Sequence, residues 1–117
     1  MGRLLVVDDN EKIVDVLTAY LEAEGYVVDA AASGTEALQR VEEHVPDLAL
    51  LDIMMPQFTG LEVLAHARCL QSRQELPVVI LTAKGQDADR EAAFRMGAND
   101  FMTKPFSPKR LLARIHE

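Results

Sequence analysis

The fold of this chain is decided by the stretch Asp47-Leu-Ala-Leu-Leu-Asp-Ile-Met-Met-Pro56. Its apolar run over Leu48–Leu51 is bounded by turn-forming residues, and this pattern predicts a short strand that is buried on both faces. Asp52 follows at once, so its carboxylate is expected where the strand leaves the core. Pro56 and Gly60 then interrupt regular structure before the next helical pattern. An aspartate at such a position could simply cap a helix, so the rest of the chain has to decide between the two roles.

Strand patterns and helical patterns alternate along the whole chain. The apolar runs predict strands at Arg3–Val7, Tyr26–Ala30, Leu48–Leu51, Pro77–Leu81 and Asp100–Thr103. Capping residues and apolar residues at helical spacing predict a helix after each strand, with starts behind Asn10, at Ser33, near Leu61, at Asp87 and behind Ser107. Gly25 and Gly97 are expected to end the first and the fourth helix.

This alternation predicts an α/β fold of the doubly wound type, with a five-stranded parallel sheet and helices on both of its faces. The first, third and fourth strands are continuous apolar runs, as central parallel strands should be. The second and fifth strands are shorter and more mixed, as edge strands tend to be. The strand order 2-1-3-4-5 is one common solution, and it places a ligand-binding crevice between the first and third strands. Asp8, Asp9 and Asp52 border that crevice.

Length and composition narrow the possible functions. A chain of 117 residues with 49% hydrophobic content is expected to form one domain around a single core. Its formal net charge of −7 argues against binding of nucleic acid by general charge attraction. The single cysteine, Cys69, cannot form an internal disulfide, which suits a reducing, cytoplasmic setting, and we expect it to be half-buried on a helix. No apolar run reaches about 18 residues, so neither a membrane span nor a membrane partner is predicted.

Five polar residues stand at or just behind the ends of predicted strands, namely Asp8, Asp9, Asp52, Thr82 and Lys104. Three convergent carboxylates would repel one another, and a hard divalent cation such as Mg²⁺ would remove the conflict. A hydroxyl and an ammonium group beside that cation would suit an anion with several oxygens, and a phosphoryl group on a carboxylate fits this inventory. Each residue alone could be an ordinary surface group, but their shared position at one edge of the sheet favours a common site.

These residues carry a resemblance to the receiver domain of two-component response regulators, whose flavodoxin-like sheet has the strand order given above. The matching segments are spread over the chain: Val-Val-Asp8-Asp9, Leu-Leu-Asp52-Ile-Met-Met-Pro56 with Gly60, Leu-Thr82-Ala83, and Gly97-Ala-Asn-Asp-Phe-Met-Thr-Lys-Pro-Phe106. The resemblance therefore implies a receiver domain over residues 1–117, and we expect it to be cut from a longer protein with a C-terminal effector.

The resemblance implies a metal site that accepts a phosphoryl group. Asp52 would take this group from a phosphohistidine on a sensor histidine kinase. Asp8, Asp9 and Asp52, with the main-chain carbonyl of Met54, would bind Mg²⁺. Met54 and Lys84 would border the path of the hydrolytic water, where a bulky apolar group hinders the water and a cation stabilises the aspartyl phosphate. We therefore expect the phosphoryl group to be long-lived.

The resemblance also implies how a signal leaves the site. Thr82 and Lys104 would contact the phosphoryl oxygens, and Phe101 would move inward as Thr82 is drawn toward the phosphate. The change would reach an output surface formed by the fourth helix, the fifth strand and the fifth helix, which carries Arg90, Arg95, Asp100, Arg110 and Arg114.

That output surface departs from the family pattern. Receivers that are joined to winged-helix DNA-binding domains pair charges here across a symmetric dimer, and Asp100 with Arg114 matches them. Arg110, however, stands where they usually carry an acidic residue, and its expected partner Arg90 is also a cation, while Arg95 replaces a second acidic residue. Like charges oppose association, so we expect a monomer or a weak dimer. Regulation of transcription is the leading expectation for the output, beside a stand-alone receiver or a receiver of a non-DNA-binding effector.

Two other functions compete with a phosphorylation switch that is not a turnover enzyme. A Mg²⁺-dependent phosphohydrolase with an aspartyl nucleophile typically presents an Asp-x-Asp loop after its first strand, whereas here Asp8 is followed directly by Asp9 and then by Asn10. A degenerate receiver that serves only as a binding scaffold would lack part of the site, whereas the acceptor, the acidic pair, Thr82 and Lys104 are all present.

Overall fold

Five strands alternate with four helices in the part of the chain that the computed structural model describes, namely residues 2–52, 60–70, 76–82, 87–103, 109–111 and 113. In chain order the elements are β1 (Arg3–Val7), α1 (Glu11–Ala23), β2 (Val27–Ala31), α2 (Gly34–Glu43), β3 (Leu48–Leu51), α3 (Gly60–Leu70), β4 (Val78–Thr82), α4 (Asp87–Arg95) and β5 (Asp100–Thr103). Residues 109–111 and 113 are also helical, whereas the predicted cap of that last helix, Ser107, lies outside the described residues. No helix within these ranges is both long enough and apolar enough to cross a membrane.

The five strands form one parallel sheet with the order β2-β1-β3-β4-β5, which confirms the predicted order. Val7 pairs with Ala31 of β2 and with Leu51 of β3, so these three strands end level with one another. The edge strand β2 has five residues, as many as β1, and the expectation that both edge strands are shorter is wrong for β2. Its edge position shows instead in its exposure, since Val27 is 55% exposed.

The starts of the first two helices are set by capping side chains. Asn10 caps α1 by accepting a hydrogen bond from the Lys12 main-chain N–H at 3.1 Å, and Ser33 caps α2 by accepting one from Glu36 at 3.2 Å. The Glu36 carboxylate in turn accepts a hydrogen bond from the Ala32 N–H at 3.2 Å, so two main-chain donors at this helix start are satisfied. Each such cap contributes about 1 kcal/mol to helix stability. Both caps directly follow strands β1 and β2, so they also fix the loops at this edge of the sheet.

Apolar side chains pack against both faces of the sheet, which confirms the predicted layers. Along β1, Leu5 and Val7 belong to a core cluster shared with α2, α3 and α4, whereas Leu4 and Val6 belong to a second cluster shared with α1. The helical residue Leu111 lies in the second cluster and has no exposed area. Full burial of a Leu or Val side chain stabilises the fold by about 1.5–3 kcal/mol, so the two clusters together hold the central strands in place.

The position of Cys69 on helix α3 differs from the prediction. It directs Val63, Leu64 and Ala67 into the core. Cys69 is exposed, so the expectation that it is half-buried is wrong. The reason is helical spacing, because position 69 lies off the stripe that positions 63, 64 and 67 form on the helix surface.

Candidate functional site

Asp8 directly follows β1 and is held by hydrogen bonds on two sides. Its main-chain N–H donates to the Ala31 carbonyl at 3.2 Å, which extends the pairing with β2 by one residue. Its Oδ1 accepts a hydrogen bond from the Asn10 N–H at 2.9 Å, and Asn10 in turn caps α1. The residue is only 3% exposed, whereas the next residue, Asp9, faces solvent. The loop therefore fixes one buried and one exposed carboxylate side by side.

Asp52 takes the equivalent position one strand away. Its main-chain N–H donates to the Val7 carbonyl at 3.0 Å, which extends the pairing of β3 with β1. The residue is 5% exposed, and the four residues of β3 before it are all buried. The candidate phosphoryl acceptor thus stands on a packed element of the scaffold, where its position is better defined than it would be on a long loop.

The carboxylates of Asp8, Asp9 and Asp52 meet, as the sequence predicted. One oxygen from each lies within 4.8 Å of the other two. Two unit charges about 5 Å apart repel by roughly 3 kcal/mol at an effective dielectric constant of about 20, and the burial of two of these carboxylates adds a desolvation cost. A hard divalent cation with oxygen ligands offsets both effects, and Mg²⁺ suits an incomplete protein cage because it keeps several of its waters. The donor set therefore fits Mg²⁺, and these three residues would hold it.

A surface cavity of about 290 Å³ opens beside Asp8. Three further carboxylates line this cavity, from Glu11, Asp15 and Glu36. These three residues were not among the predicted site residues, although Glu11 and Asp15 lie in the first two turns of the helix after β1 and Glu36 lies in the first turn of the helix after β2. The carboxylate of Glu36 is paired with Arg40 of the same helix at 3.4 Å, and Glu11 and Asp15 place two more acidic groups beside Asp8.

The other predicted site residues are described only in part. The main chain of Thr82 ends β4 against the last residue of β5, which places Thr82 at the same edge of the sheet as Asp52. Lys104, Met54 and Lys84 lie outside the described residues. The expected contacts of Thr82 and Lys104 with a phosphoryl group, and the tuning role of Met54 and Lys84, remain predictions.

Phe101 lies in β5 with its ring in the core. It pairs with Ile80 of β4, is 9% exposed and belongs to the core cluster that includes Ala93 of α4. This inward position is the one that the receiver resemblance assigns to the switch aromatic once Thr82 has been drawn to a phosphate. The movement itself remains a prediction.

The predicted output surface is open to solvent where the structure describes it. Of the cations predicted for this surface, Arg90, Arg95 and Arg110 are described and exposed. The guanidinium carbon of Arg90 lies 5.8 Å from the centre of the Phe94 ring, within the range of a cation–π contact. Asp100 is half-buried, whereas Arg114 lies outside the described residues. The pairing of Asp100 with Arg114 across a dimer therefore remains a prediction.

Comparison with known proteins relates the chain to one family. The family model of the response regulator receiver domain matches residues 4–116. The chain is 45% identical over 116 residues to the alkaline phosphatase synthesis transcriptional regulatory protein PhoP of Bacillus subtilis, and the match covers 97% of this chain and 46% of that protein. It is 43% identical over 115 residues to the transcriptional regulatory protein CpxR homolog of Haemophilus influenzae, with coverage of 98% and 49%. The chain thus spans about half the length of the curated relatives it matches.

A solved structure agrees with the sequence relatives. The crystal structure of a response regulator receiver domain protein (CheY-like) from Methanospirillum hungatei matches with a TM-score of 0.93 at 34% identity, covering 99% of this chain and 91% of that chain. The shared sheet order, the carboxylates at its edge and a family match over nearly the whole sequence agree with one another. This chain belongs to the response regulator receiver domain family, and it is a receiver domain of two-component signalling.

Proposed function

We propose that this receiver is a phosphorylation-dependent switch in which Asp52 is the phosphoryl acceptor. One observation carries the proposal: Asp52 is buried at the end of β3, and its carboxylate lies within 4.8 Å of two further carboxylates. Carboxylates held this close repel one another, and a bound divalent cation would offset the repulsion and attract the oxygens of a phosphoryl group. The family membership supports the same role, because receivers are signalling switches and not turnover enzymes.

In the proposed reaction, a carboxylate oxygen of Asp52 attacks the phosphorus of a phosphohistidine on a sensor histidine kinase. The new O–P bond forms while the P–N bond breaks, and the imidazole leaves with the bonding electron pair and takes a proton from solvent. Thr82 donates a hydrogen bond to one phosphoryl oxygen, and Lys104 balances the charge of another. When bound by Asp8, Asp9, Asp52 and the main-chain carbonyl of Met54, Mg²⁺ supplies positive charge beside the transferred group.

The proposed signal leaves through Thr82 and Phe101 toward the output surface on α4, β5 and the last helix. Two relatives are named as transcriptional regulators and are about twice as long as this chain, which supports an attached effector and control of transcription. On this proposal the receiver works in the cytoplasm and does not bind nucleic acid itself, in keeping with the formal net charge of −7. A stand-alone receiver, or one joined to an effector that does not bind DNA, is the alternative output.

Acetyl phosphate with Mg²⁺ is expected to add one phosphoryl group per chain, which intact-mass spectrometry detects directly. Asp52→Ala should stay unlabelled because the attacking oxygen is gone. Glu22→Gln, which removes an exposed carboxylate of α1, should be labelled like the wild type. Undiminished labelling of Asp52→Ala would contradict the assignment.

Mg²⁺ at millimolar concentration is expected to raise the melting temperature, because the cation binds the assembled cluster and not the unfolded chain. At a concentration about ten times the Kd, the gain of about 1.4 kcal/mol corresponds to roughly 5 °C for a domain of this size. Asp9→Ala should abolish the shift, whereas Glu22→Gln should keep it. Differential scanning fluorimetry measures both, and a shift retained in Asp9→Ala argues against the proposed ligand set.

Replacing Met54 by Asn and Lys84 by Glu is expected to shorten the lifetime of the aspartyl phosphate. The smaller polar side chain admits the hydrolytic water, and loss of the cation removes stabilisation of the phosphoryl group. Release of inorganic phosphate from the purified phosphoprotein gives the rate constant. An unchanged or slower release from the double variant would refute the tuning role of these two residues.

The phosphorylated receiver is expected to be a monomer or a weak dimer, because Arg110 and its expected partner Arg90 carry like charges. Repulsion of this kind opposes association by up to several kcal/mol when the charges are desolvated. Arg110→Glu restores opposite charges and should shift the equilibrium toward the dimer. Analytical ultracentrifugation of the beryllofluoride-treated proteins measures the association constants.

Arg40→Glu is the matched control for this charge reversal, since Arg40 is an exposed cation of α2, away from the output surface. It should leave the association constant at the wild-type value. A tight wild-type dimer that Arg110→Glu weakens would overturn the expected repulsion.

A further inference from the structure

Arg68 of α3 joins three segments of the chain through its guanidinium group. Nη1 donates a hydrogen bond to the Leu76 carbonyl at 2.6 Å, and Nε donates one to the Gly97 carbonyl at 3.0 Å. Nη2 donates to Oδ1 of Asn99 at 2.8 Å. The group is half-buried, so these charge-assisted hydrogen bonds compete less with water than they would on an open surface. One side chain thus ties the end of α3 to the approach to β4 and to the turn between α4 and β5.

Asn99 extends this connection into the sheet. Its Oδ1 also accepts a hydrogen bond from the Val78 N–H at 2.9 Å, and its own N–H donates to the Val78 carbonyl at 2.8 Å. Asn99 therefore makes two hydrogen bonds to Val78, the first residue of β4. It also accepts a hydrogen bond from Arg68. The side-chain and main-chain groups form one network at the amino-terminal edge of the sheet, the edge opposite to the carboxylate cluster.

Gly97 is fitted to the same network. Its φ of +112° lies in a region that other residues rarely adopt. A Cβ at this position would also lie 2.9 Å from Nε of Arg68, which is closer than real Cβ atoms approach. The glycine thus allows the backbone conformation of the turn after α4. The absence of a side chain also leaves space for the guanidinium group of Arg68 to reach the Gly97 carbonyl.

Few apolar side chains of helix α4 are buried among residues 90–95, whose side chains the structure describes. Ala93 is fully buried, Ala92 and Phe94 are half-buried, and the other three residues are exposed. By contrast, α3 directs three fully buried apolar side chains into the core. Ala93 and Phe94 attach this part of α4 to the core cluster, and the network after its carboxyl end adds hydrogen bonds to that attachment.

We propose that Arg68 is a positioning residue that fixes the carboxyl end of α4 and makes this end the pivot of the helix. Motion of α4 is then largest at its amino end, on the side of Thr82. The restraint of the carboxyl end of α4 is inferred from the hydrogen-bond network alone. Its use in signalling rests on the proposed function. A residue with a merely general stabilising role would instead strengthen the whole domain evenly.

Hydrogen–deuterium exchange of the unphosphorylated domain, read by mass spectrometry, tests the proposal. Arg68→Met keeps the aliphatic stem but removes the hydrogen bonds to Leu76, Gly97 and Asn99, and Arg40→Met removes an equal charge from an exposed site on α2. In Arg68→Met, amide exchange over residues 87–99 is expected to be about tenfold faster or more, because local opening loses several charged hydrogen bonds. Exchange over α1 should not change in either variant, and Arg40→Met should leave residues 87–99 at the wild-type rate.

An even rise of exchange over the whole chain, or no rise over residues 87–99, would overturn the proposal. Asn99→Ala provides a second variant if Arg68→Met does not fold, since it removes one acceptor of Arg68 and leaves the guanidinium in place. It should raise exchange in the same segment by a smaller factor, and an even rise or no rise counts against the proposal here too. Because no phosphoryl group is involved, failure of Asp52 labelling would refute the proposed function without affecting this result.

Discussion

The whole site depends on two neighbouring parallel strands that end level with each other and continue into buried carboxylates. Val7 of β1 pairs with Leu51 of β3, and the next residue on each strand is an aspartate. Parallel pairing brings both carboxyl ends to the same edge of the sheet, so the two charges cannot separate unless the register is lost. The register cannot slip without moving every apolar side chain of these strands out of its cluster. The apolar core therefore holds these two carboxylates close together at one edge of the sheet.

The proposed binding of a cation would act on the repulsion between these carboxylates. Two unit charges about 5 Å apart repel by roughly 3 kcal/mol at an effective dielectric constant of about 20, whereas the net stability of a domain is typically about 5–15 kcal/mol. The apolar clusters on the two faces of the sheet supply the stability that tolerates this repulsion. A cation that binds here, or an anion that joins the cation, changes a term of this size at one edge while the core stays intact. Such a local change can bias neighbouring loops without unfolding the sheet.

The sequence could predict those parts of the fold that depend on local patterns, such as apolar runs and capping residues. Apolar runs predicted the strands, and Asn10 and Ser33 predicted the starts of two helices. The aspartates that follow the strands predicted the carboxylate cluster. The burial of Cys69 was predicted wrongly, although its position off the helical stripe of Val63, Leu64 and Ala67 follows from helical spacing. Arg68 could not be found at all, since two of its acceptors are main-chain carbonyls 8 and 29 residues away. A carbonyl acceptor is present at every residue, so no residue type marks it in the sequence.

The two edges of the sheet thus differ, because one carries a cluster of charged groups and the other carries hydrogen bonds that hold the end of α4. The carboxyl edge holds the cluster whose electrostatics depend on bound ligands, and the amino edge holds the network of Arg68 and Asn99. Helix α4 has nine residues and is about 13 Å long, so a shift of about 1 Å at a free amino end tilts it by about 4° around a fixed carboxyl end. Arg90 then moves more than Arg95, which lies next to the pivot. A partner that reads this face would sense the change mainly through Arg90 and the Phe94 ring that it covers.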